Sequence, residues 1–173
     1  MTTGCSQDPL VGVVLGSVSD RALGQEVATV LSSFGVPFEL IVASAHRTPD
    51  KAASYAKEAA GKGLKVVIAV AGLAAHLPGV LAADTILPVI GVPAAGGTLG
   101  GLDALLSIAQ MPGGIPVASV GINNAKNAAL LAVAILALSD NKLAQKLQAY
   151  RQELAAKVEA GEQEVLREFN IAF

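Results

Sequence analysis

The fold class is decided at residues 66–71, where the sequence reads Val-Val-Ile-Ala-Val-Ala. Every position of this run is apolar, with no alternation between apolar and polar side chains. Strands that are buried on both faces of a parallel sheet have this pattern, whereas strands with one solvated face alternate. The run therefore predicts a buried strand of a parallel sheet.

Similar short apolar runs lie on both sides of this strand and alternate with helical stretches. Strands are predicted at residues 10–15, 38–42, 66–71, 88–92 and 117–120. Helices are predicted at residues 20–34, 49–60, 75–82, 101–110 and 124–139. Repeated strand–helix units predict an α/β fold, a three-layer αβα sandwich with a doubly wound parallel sheet of the flavodoxin or Rossmann-like kind.

The C-terminal segment differs, because charged residues are dense from Asp140 to Phe169. Apolar side chains recur there at spacings of three and four, which predicts an amphipathic helix over about residues 140–169. Residues 1–9 are mostly polar and predict a flexible N-terminus. No linker or repeat interrupts the rest, so we expect one domain over residues 10–173 that includes the C-terminal helix.

The composition argues against several classes of function. Twelve basic and fourteen acidic side chains give a net charge of 12 − 14 = −2, and no basic stripe predicts a nucleic-acid partner. The longest apolar run, residues 128–138, is shorter than the roughly 20 residues that span a bilayer, so no membrane association is expected. The single cysteine, Cys5, and the lack of a signal-peptide pattern predict a cytoplasmic protein.

Charged residues are almost absent between Val66 and Ala125, where only Asp84 and Asp103 carry a formal charge. A small monomer exposes much of its surface, and charged side chains normally cover that surface. The segment therefore favours contact with other subunits in an obligate homo-oligomer. The alternative is a central core of strands and helices that is simply well covered.

Three loops that follow the first three strands are candidates for a site. They are residues 16–20 (GSVSD), 44–49 (SAHRTP) and 72–79 (GLAAHLPG). In a parallel sheet such loops meet at the carboxyl edge of the strands, where ligands bind. The second loop places His46, one of two histidines, beside Arg47, one of four arginines. Because histidine transfers protons near neutral pH and arginine binds phosphate, these two are the candidate acid–base and the candidate anion ligand.

The second loop also has a purely structural explanation. Thr48 and Pro49 could begin a helix, with Thr48 as its N-cap and Pro49 at the first helical position. His46 and Arg47 would then be merely solvated. His76, in the third loop, could assist a site or serve as a hydrogen-bonded structural histidine.

The first loop combines a glycine, hydroxyl groups and a helix start, an environment that favours an anion. Asp20 could accept hydrogen bonds from a ribose, while Ser17 and Asp20 together could form a capping box. The glycine-rich stretch 96–101 lacks the dinucleotide spacing and a Walker lysine. One phosphate monoester, held by Arg47 with Ser17 and Ser44, therefore fits better than a pyrophosphate cofactor. No metal-ligand spacing and no serine-hydrolase elbow are present, so neither metal nor cofactor is expected.

Several motifs resemble, in order, those of the N5-carboxyaminoimidazole ribonucleotide mutases, also called the phosphoribosylaminoimidazole carboxylase catalytic subunit family. The matching stretches are residues 16–20, 44–49, 74–79, 91–93, 110–117 and 127–132. They extend over about residues 11–140. Motifs of this length that recur in one order are specific to a family.

The resemblance implies a catalytic domain of de novo purine biosynthesis. Its expected reaction is an isomerisation that moves a carboxylate from the exocyclic amine of a phosphoribosyl aminoimidazole to ring carbon C4, through a lyase-like decarboxylation and a recarboxylation, without cofactor. It implies His46 as general acid and base. Substrate contacts are implied for Ser17, Asp20, Ser44, Arg47, Gly72 and His76. A homo-octamer with sites at subunit contacts is also implied, which would account for the missing charge.

The chain departs from the family pattern at three places. Leu73 stands where many members have glycine, and residues 94–101 carry Ala and Gly where others carry Gln and Ser. The loop 121–126 is short, as it is in the sister group that adds carbon dioxide directly to aminoimidazole ribonucleotide. Residues 74–79 have the mutase-type sequence. The mutase is therefore favoured, with the direct carboxylase as the alternative.

Overall fold

A computed structural model of the protein describes residues 8–169. Cys5 and all but the last two residues of the predicted flexible N-terminus lie outside the described residues. The strands of the described part are β1 (Val11–Leu15), β2 (Phe38–Val42), β3 (Val66–Gly72), β4 (Val89–Ala94) and β5 (Ala118–Ser119). The α-helices are α1 (Arg21–Phe34), α2 (Pro49–Ala59), α3 (Leu77–Asp84), α4 (Leu102–Ala109), α5 (Ala125–Ala137) and α6 (Asn141–Glu168). A short 3₁₀ helix over Val18–Asp20 precedes α1.

The strands form one parallel sheet in the order β2-β1-β3-β4-β5. The chain runs from β1 to the edge strand β2 and then crosses back to β3 on the other side of β1. This reversal makes a switch point between β1 and β3, where ligands bind in doubly wound sheets. β3 begins at Val66 as predicted and is buried along its whole length except at Gly72. The predicted fold class is confirmed.

Helices cover both faces of the sheet. The side chains of Leu15 and Leu40 lie over Gly24, which places α1 on one face. On the other face, buried side chains of α2, α3 and α4 form one apolar cluster with Val14, Val67 and Ala69 of the strands. Burial of these apolar side chains is the dominant favourable term in holding the layers together.

The helix predicted from Ala75 begins instead at Leu77. Leu73 adopts a left-handed backbone conformation, with φ of 55°, and the chain then makes two tight turns. In these turns the amide of Ala75 donates to the carbonyl of Leu73 at 2.8 Å, and that of His76 donates to the carbonyl of Ala74 at 2.7 Å. These short-range hydrogen bonds delay the helix by two residues.

Strand β4 is longer than predicted because it continues through Pro93 to Ala94. Pro93 pairs in register with Ala71 of β3, and its carbonyl accepts a hydrogen bond from the amide of Asn123, so it faces away from β3. Strand β5 pairs only with Ile90 and Gly91. The missing amide of Pro93 therefore lies beyond the end of β5, where no ladder partner is lost.

The chain divides into two compact units, the first ending at Ile135 and the second beginning at Leu136. The second unit contains α6, which confirms the predicted C-terminal helix. Asp140 caps this helix by accepting hydrogen bonds from the amides of Lys142 and Leu143 at 2.9 and 3.0 Å. The single domain over residues 10–173 stays a prediction. No helix within residues 8–169 has both the length and the apolar character needed to cross a membrane.

Candidate active site

The loops that follow β1, β2 and β3 meet around one cavity of about 640 Å³ at the carboxyl edge of the sheet. Residues 94–97, at the end of β4 and just after it, form a fourth side. Every site residue predicted from the sequence lines this cavity: Ser17, Asp20, Ser44, His46, Arg47, Gly72 and His76. Their individual roles stay predictions.

The first loop is held by a capping box between Ser17 and Asp20, as the structural alternative predicted. The amide of Ser17 donates to Oδ2 of Asp20 at 2.9 Å, and the Ser17 hydroxyl accepts from the amide of Ser19 at 3.4 Å. Asp20 is only 8% exposed. Burial raises the pKa of Asp20, against the opposing effects of the Ser17 amide, the Ser19 side chain and the Arg47 guanidinium.

The second loop is tied to the first through Arg47. Its Nη2 donates to the carbonyl of Gly16 at 3.3 Å, and its Nε donates to Oγ of Ser44 at 3.4 Å. The Ser44 hydroxyl also accepts from the amide of Arg47 at 3.2 Å. A guanidinium has five N–H donors, so these side-chain contacts leave others that can bind an anion in the cavity.

Thr48 is the N-cap residue of α2, as the structural alternative predicted, but its side chain makes no capping hydrogen bond. Its hydroxyl accepts from the amide of Ser44 at 2.8 Å and donates to the carbonyl of Ser44 at 3.3 Å. The amide of Thr48 donates to the same carbonyl at 3.0 Å. The hydroxyl of Thr48 therefore closes the loop onto Ser44, while its carbonyl accepts the first hydrogen bond of the helix, from the amide of Ala52. Pro49 does occupy the first turn of α2, as predicted.

His46 and His76 form a direct pair. Nε2 of His46 and Nδ1 of His76 are 2.8 Å apart, and the rings meet edge to face with centroids 4.9 Å apart. A hydrogen bond between two imidazoles needs an N–H on one ring and a lone pair on the other. The pair therefore loses this bond when both rings carry a second proton. The hydrogen-bond partner of His76 is His46, the candidate acid–base. His76 can therefore be a hydrogen-bonded histidine and assist the site at the same time.

Sequence reasoning missed Leu73 and residues 94–97 as lining residues. The signal that could have found residues 94–97 is their position, because they follow a predicted strand just as the other three loops do. Asn123 supports this side of the cavity, because its Oδ1 accepts from the amide of Ala95 at 2.7 Å. The glycine that many members of the family have in place of Leu73 is the signal that could have indicated the left-handed backbone found there.

Within residues 8–169, no three His, Cys, Asp or Glu side chains are close enough together to hold a metal ion. That the chain uses no metal and no cofactor stays a prediction.

A family model described as AIR carboxylase matches residues 10–157 of the chain. The chain belongs to the AIR carboxylase family. It is 54% identical over 154 residues to the N5-carboxyaminoimidazole ribonucleotide mutase of Pyrococcus horikoshii, an alignment that covers 89% of this chain and 87% of that protein. The resemblance noted in the sequence is thereby confirmed.

Two other members of the family bear on the comparison. The phosphoribosylaminoimidazole carboxylase of Candida albicans is 53% identical over 162 residues, which is 94% of this chain but 28% of that protein. A crystal structure of Treponema denticola PurE superposes with a TM-score of 0.83 at 31% identity, covering 90% of this chain and 98% of that one. The α/β architecture is therefore shared with a solved member of the family.

The raised pKa of Asp20 predicts a pH-dependent stability. The unfolded carboxyl releases its proton near its ordinary value of 3.8, below the pKa of the folded group, so the unfolded state binds fewer protons in between. Stability should therefore fall as pH rises from about 3.8 through the folded pKa. Urea unfolding from pH 3.5 to 7 at fixed protein concentration should show this decline in the wild type, and Asp20→Asn should lack that component.

Asp20→Ala is the companion variant, because it removes the acceptor as well as the charge. It should lower the free energy of unfolding at neutral pH by about 1 kcal/mol, since the amide of Ser17 loses its partner. Asn keeps an acceptor oxygen and should avoid this loss. Parallel pH profiles of wild type and Asp20→Asn would contradict the burial effect.

Proposed function

We propose that the chain is an N5-carboxyaminoimidazole ribonucleotide mutase of purine biosynthesis. The observation that carries the proposal is the paired His46, which lies beside Arg47 in a single cavity. Membership of the AIR carboxylase family supports the substrate class. The mutase-type sequence at residues 74–79 and the mutase name of the Pyrococcus relative favour this reaction over direct carboxylation.

Substrate recognition is assigned to the first two loops. The phosphate of the ribonucleotide would be held by Arg47 with the hydroxyls of Ser17 and Ser44, which together supply charge-assisted and neutral donors. Asp20 would accept hydrogen bonds from the ribose hydroxyls. Gly72 would let the substrate approach the backbone closely. The neighbouring strand also favours glycine here, because a Cβ at residue 72 would lie 3.2 Å from the carbonyl oxygen of Ala94 in β4.

The reaction needs one proton to leave and return to the same group. The carboxylate leaves the exocyclic nitrogen as carbon dioxide, the N–C electron pair stays on nitrogen, and protonated His46 gives a proton to that nitrogen. Ring carbon C4 then attacks the carbon dioxide, forming the new C–C bond. His46 removes the proton from C4 and so recovers its starting state. No electron acceptor is consumed, which supports a reaction without cofactor.

His76 fits a positioning role within this cycle. Its Nδ1 lies 2.8 Å from Nε2 of His46, so it can accept from or donate to the catalytic ring as that ring changes protonation. It also fixes the orientation of the His46 ring. We assign His76 to the site for this reason, in addition to its position in the cavity lining.

We further propose that the chain acts as a cytoplasmic homo-octamer whose sites lie near subunit contacts. Three leucines, at positions 99, 102 and 106, lie at helical spacing on and just before α4, with exposed fractions of 59%, 49% and 48%. Leu99 lies within the glycine-rich stretch 96–101, of which Gly96 and Gly97 line the cavity. Apolar side chains clustered in this way favour a surface covered by another subunit.

Supplying the two substrates separately tests the proposed function. The mutase should convert N5-carboxyaminoimidazole ribonucleotide to the 4-carboxy isomer without added metal or cofactor. Aminoimidazole ribonucleotide with bicarbonate at ordinary concentration should give little product. The reverse preference would identify the chain as the direct carboxylase, and conversion of neither would overturn both.

His46→Asn should abolish turnover while substrate binding is largely retained. An amide cannot take up and return a proton, so the loss in kcat should be at least about 10²-fold. Substrate affinity by calorimetry should change little. His76→Asn serves as the comparison and should lower kcat by a smaller factor. Full activity of His46→Asn would leave only a phosphate-binding role for the cavity.

Arg47→Ala should weaken the binding of the phosphate. The loss of a charge-assisted contact predicts a change on the order of 2 kcal/mol, or roughly 30-fold in Kd. Arg47→Lys should be intermediate, because the charge remains while the fork to Ser44 and Gly16 is lost. Arg21→Ala, outside the cavity lining, is the control. Equal affinity of wild type and Arg47→Ala would place the phosphate elsewhere.

Light scattering tests the assembly. The wild type should be larger than a monomer at micromolar concentration, and Leu102→Glu with Leu106→Glu should shift the mass downward, since buried unpaired carboxylates oppose association. A substitution that removes the charge of the exposed Lys57 is the control. A monodisperse wild-type monomer would refute the oligomer.

A further inference from the structure

Leu73 differs from the other residues that line the cavity. Its backbone is left-handed, with φ of 55°, a conformation that favours glycine. Its apolar side chain is nevertheless 55% exposed. Neither the backbone conformation nor the exposure stabilises the fold, so stability does not explain a leucine at this position.

The side chain of Leu73 lies directly over Gly97. A Cβ added at residue 97 would come within 2.7 Å of Cδ2 of Leu73, closer than real Cβ contacts. Leu73 therefore spans from the loop after β3 to the glycine-rich loop after β4, and it occupies the space that a side chain at residue 97 would need. Both residues line the cavity.

We propose that Leu73 forms an apolar wall that retains carbon dioxide in the cavity between its release and its recapture. This inference rests on the proposed mutase function. Between rupture of the N–C bond and formation of the bond to C4, carbon dioxide is held by non-bonded contacts alone. A molecule without net charge or hydrogen-bond donors is retained best by apolar side chains, which also exclude water.

We expect Leu73 to determine whether carbon dioxide is transferred to C4 or escapes, and not how tightly the substrate binds. The phosphate and ribose ligands belong to the first two loops, whereas Leu73 belongs to the third. Its loss should therefore leave KM nearly unchanged. Escape of carbon dioxide should rise relative to transfer, and aminoimidazole ribonucleotide should accumulate in place of the isomer.

The test uses N5-carboxyaminoimidazole ribonucleotide labelled with ¹³C in the transferred carboxylate. The assembled enzyme acts on it in unlabelled bicarbonate with carbonic anhydrase, so that any carbon dioxide that escapes is diluted at once. Mass spectrometry at early conversion gives two measures of escape: the ratio of aminoimidazole ribonucleotide to 4-carboxy product, and the fraction of label retained in that product. Release without enzyme is subtracted.

Three substitutions at position 73 separate the effect of the side chain from the effect of the left-handed backbone. Leu73→Asn keeps a similar size and tolerates a left-handed backbone but is polar, whereas Leu73→Gly removes the wall and relieves the backbone. Both should increase label escape several-fold. Leu73→Met, which keeps an apolar side chain, should retain label nearly as the wild type does.

A second pair of variants leaves Leu73 unchanged. Gly97→Ala should displace the Leu73 side chain and raise label escape. Gly100→Ala is the matched control, because φ is 58° there against 62° at Gly97, but nothing lies within 4 Å of its added Cβ. The two variants share the backbone strain and differ in the contact with Leu73. Circular dichroism and light scattering confirm that each variant is folded and assembled.

The outcomes separate this inference from the proposed function. If wild type does not convert the labelled substrate, the mutase assignment fails. If wild type converts it and Leu73→Gly and Leu73→Asn retain label equally well, the wall is overturned while the mutase stands. Equal escape from the Gly97→Ala and Gly100→Ala variants would likewise overturn it.

Discussion

Parallel pairing of β1 with both of its neighbours is the constraint on which the candidate site depends. Val11 pairs with Phe38 of β2 and with Val66 of β3, so the three strands begin at the same level and stay in register along all of β1. Neighbouring strands are about 4.8 Å apart, and their loops therefore leave the sheet within roughly 10 Å of each other. This register brings His46 and His76, thirty positions apart in sequence, within hydrogen-bond distance.

The loops are held by hydrogen bonds of their own, which prepare the cavity before a ligand enters. Asp20 fixes the first loop, Thr48 closes the second, and Arg47 joins the two through Gly16. Such preorganisation lowers the entropy lost when a substrate is bound. This arrangement lowers the stability of the fold at Asp20, because burial disfavours the ionised form of its carboxyl and raises its pKa.

The features that follow from local sequence were predictable, and those that depend on neighbours were not. Apolar runs reveal strands because burial on both faces leaves no place for polar residues, and loops converge because parallel strands share one edge. The late start of α3 depends instead on the backbone of Leu73, and the direction of the Thr48 hydroxyl depends on the amide of Ser44. The extension of β4 through Pro93 requires knowing that β5 is too short to reach it.

The charge-poor segment from Val66 to Ala125 has a buried part and an exposed part, and burial in the core accounts only for the first. Strands β3 and β4 are buried almost throughout, so the covered core explains their lack of charge. That explanation does not extend to the leucines at positions 99, 102 and 106, which are exposed to solvent in the single chain. Leu99 lies within the glycine-rich stretch, whose Gly96 and Gly97 line the cavity, and the other two leucines follow that stretch on α4. Any surface that covers them must therefore come close to the site, and assembly and catalysis would then be linked through one loop.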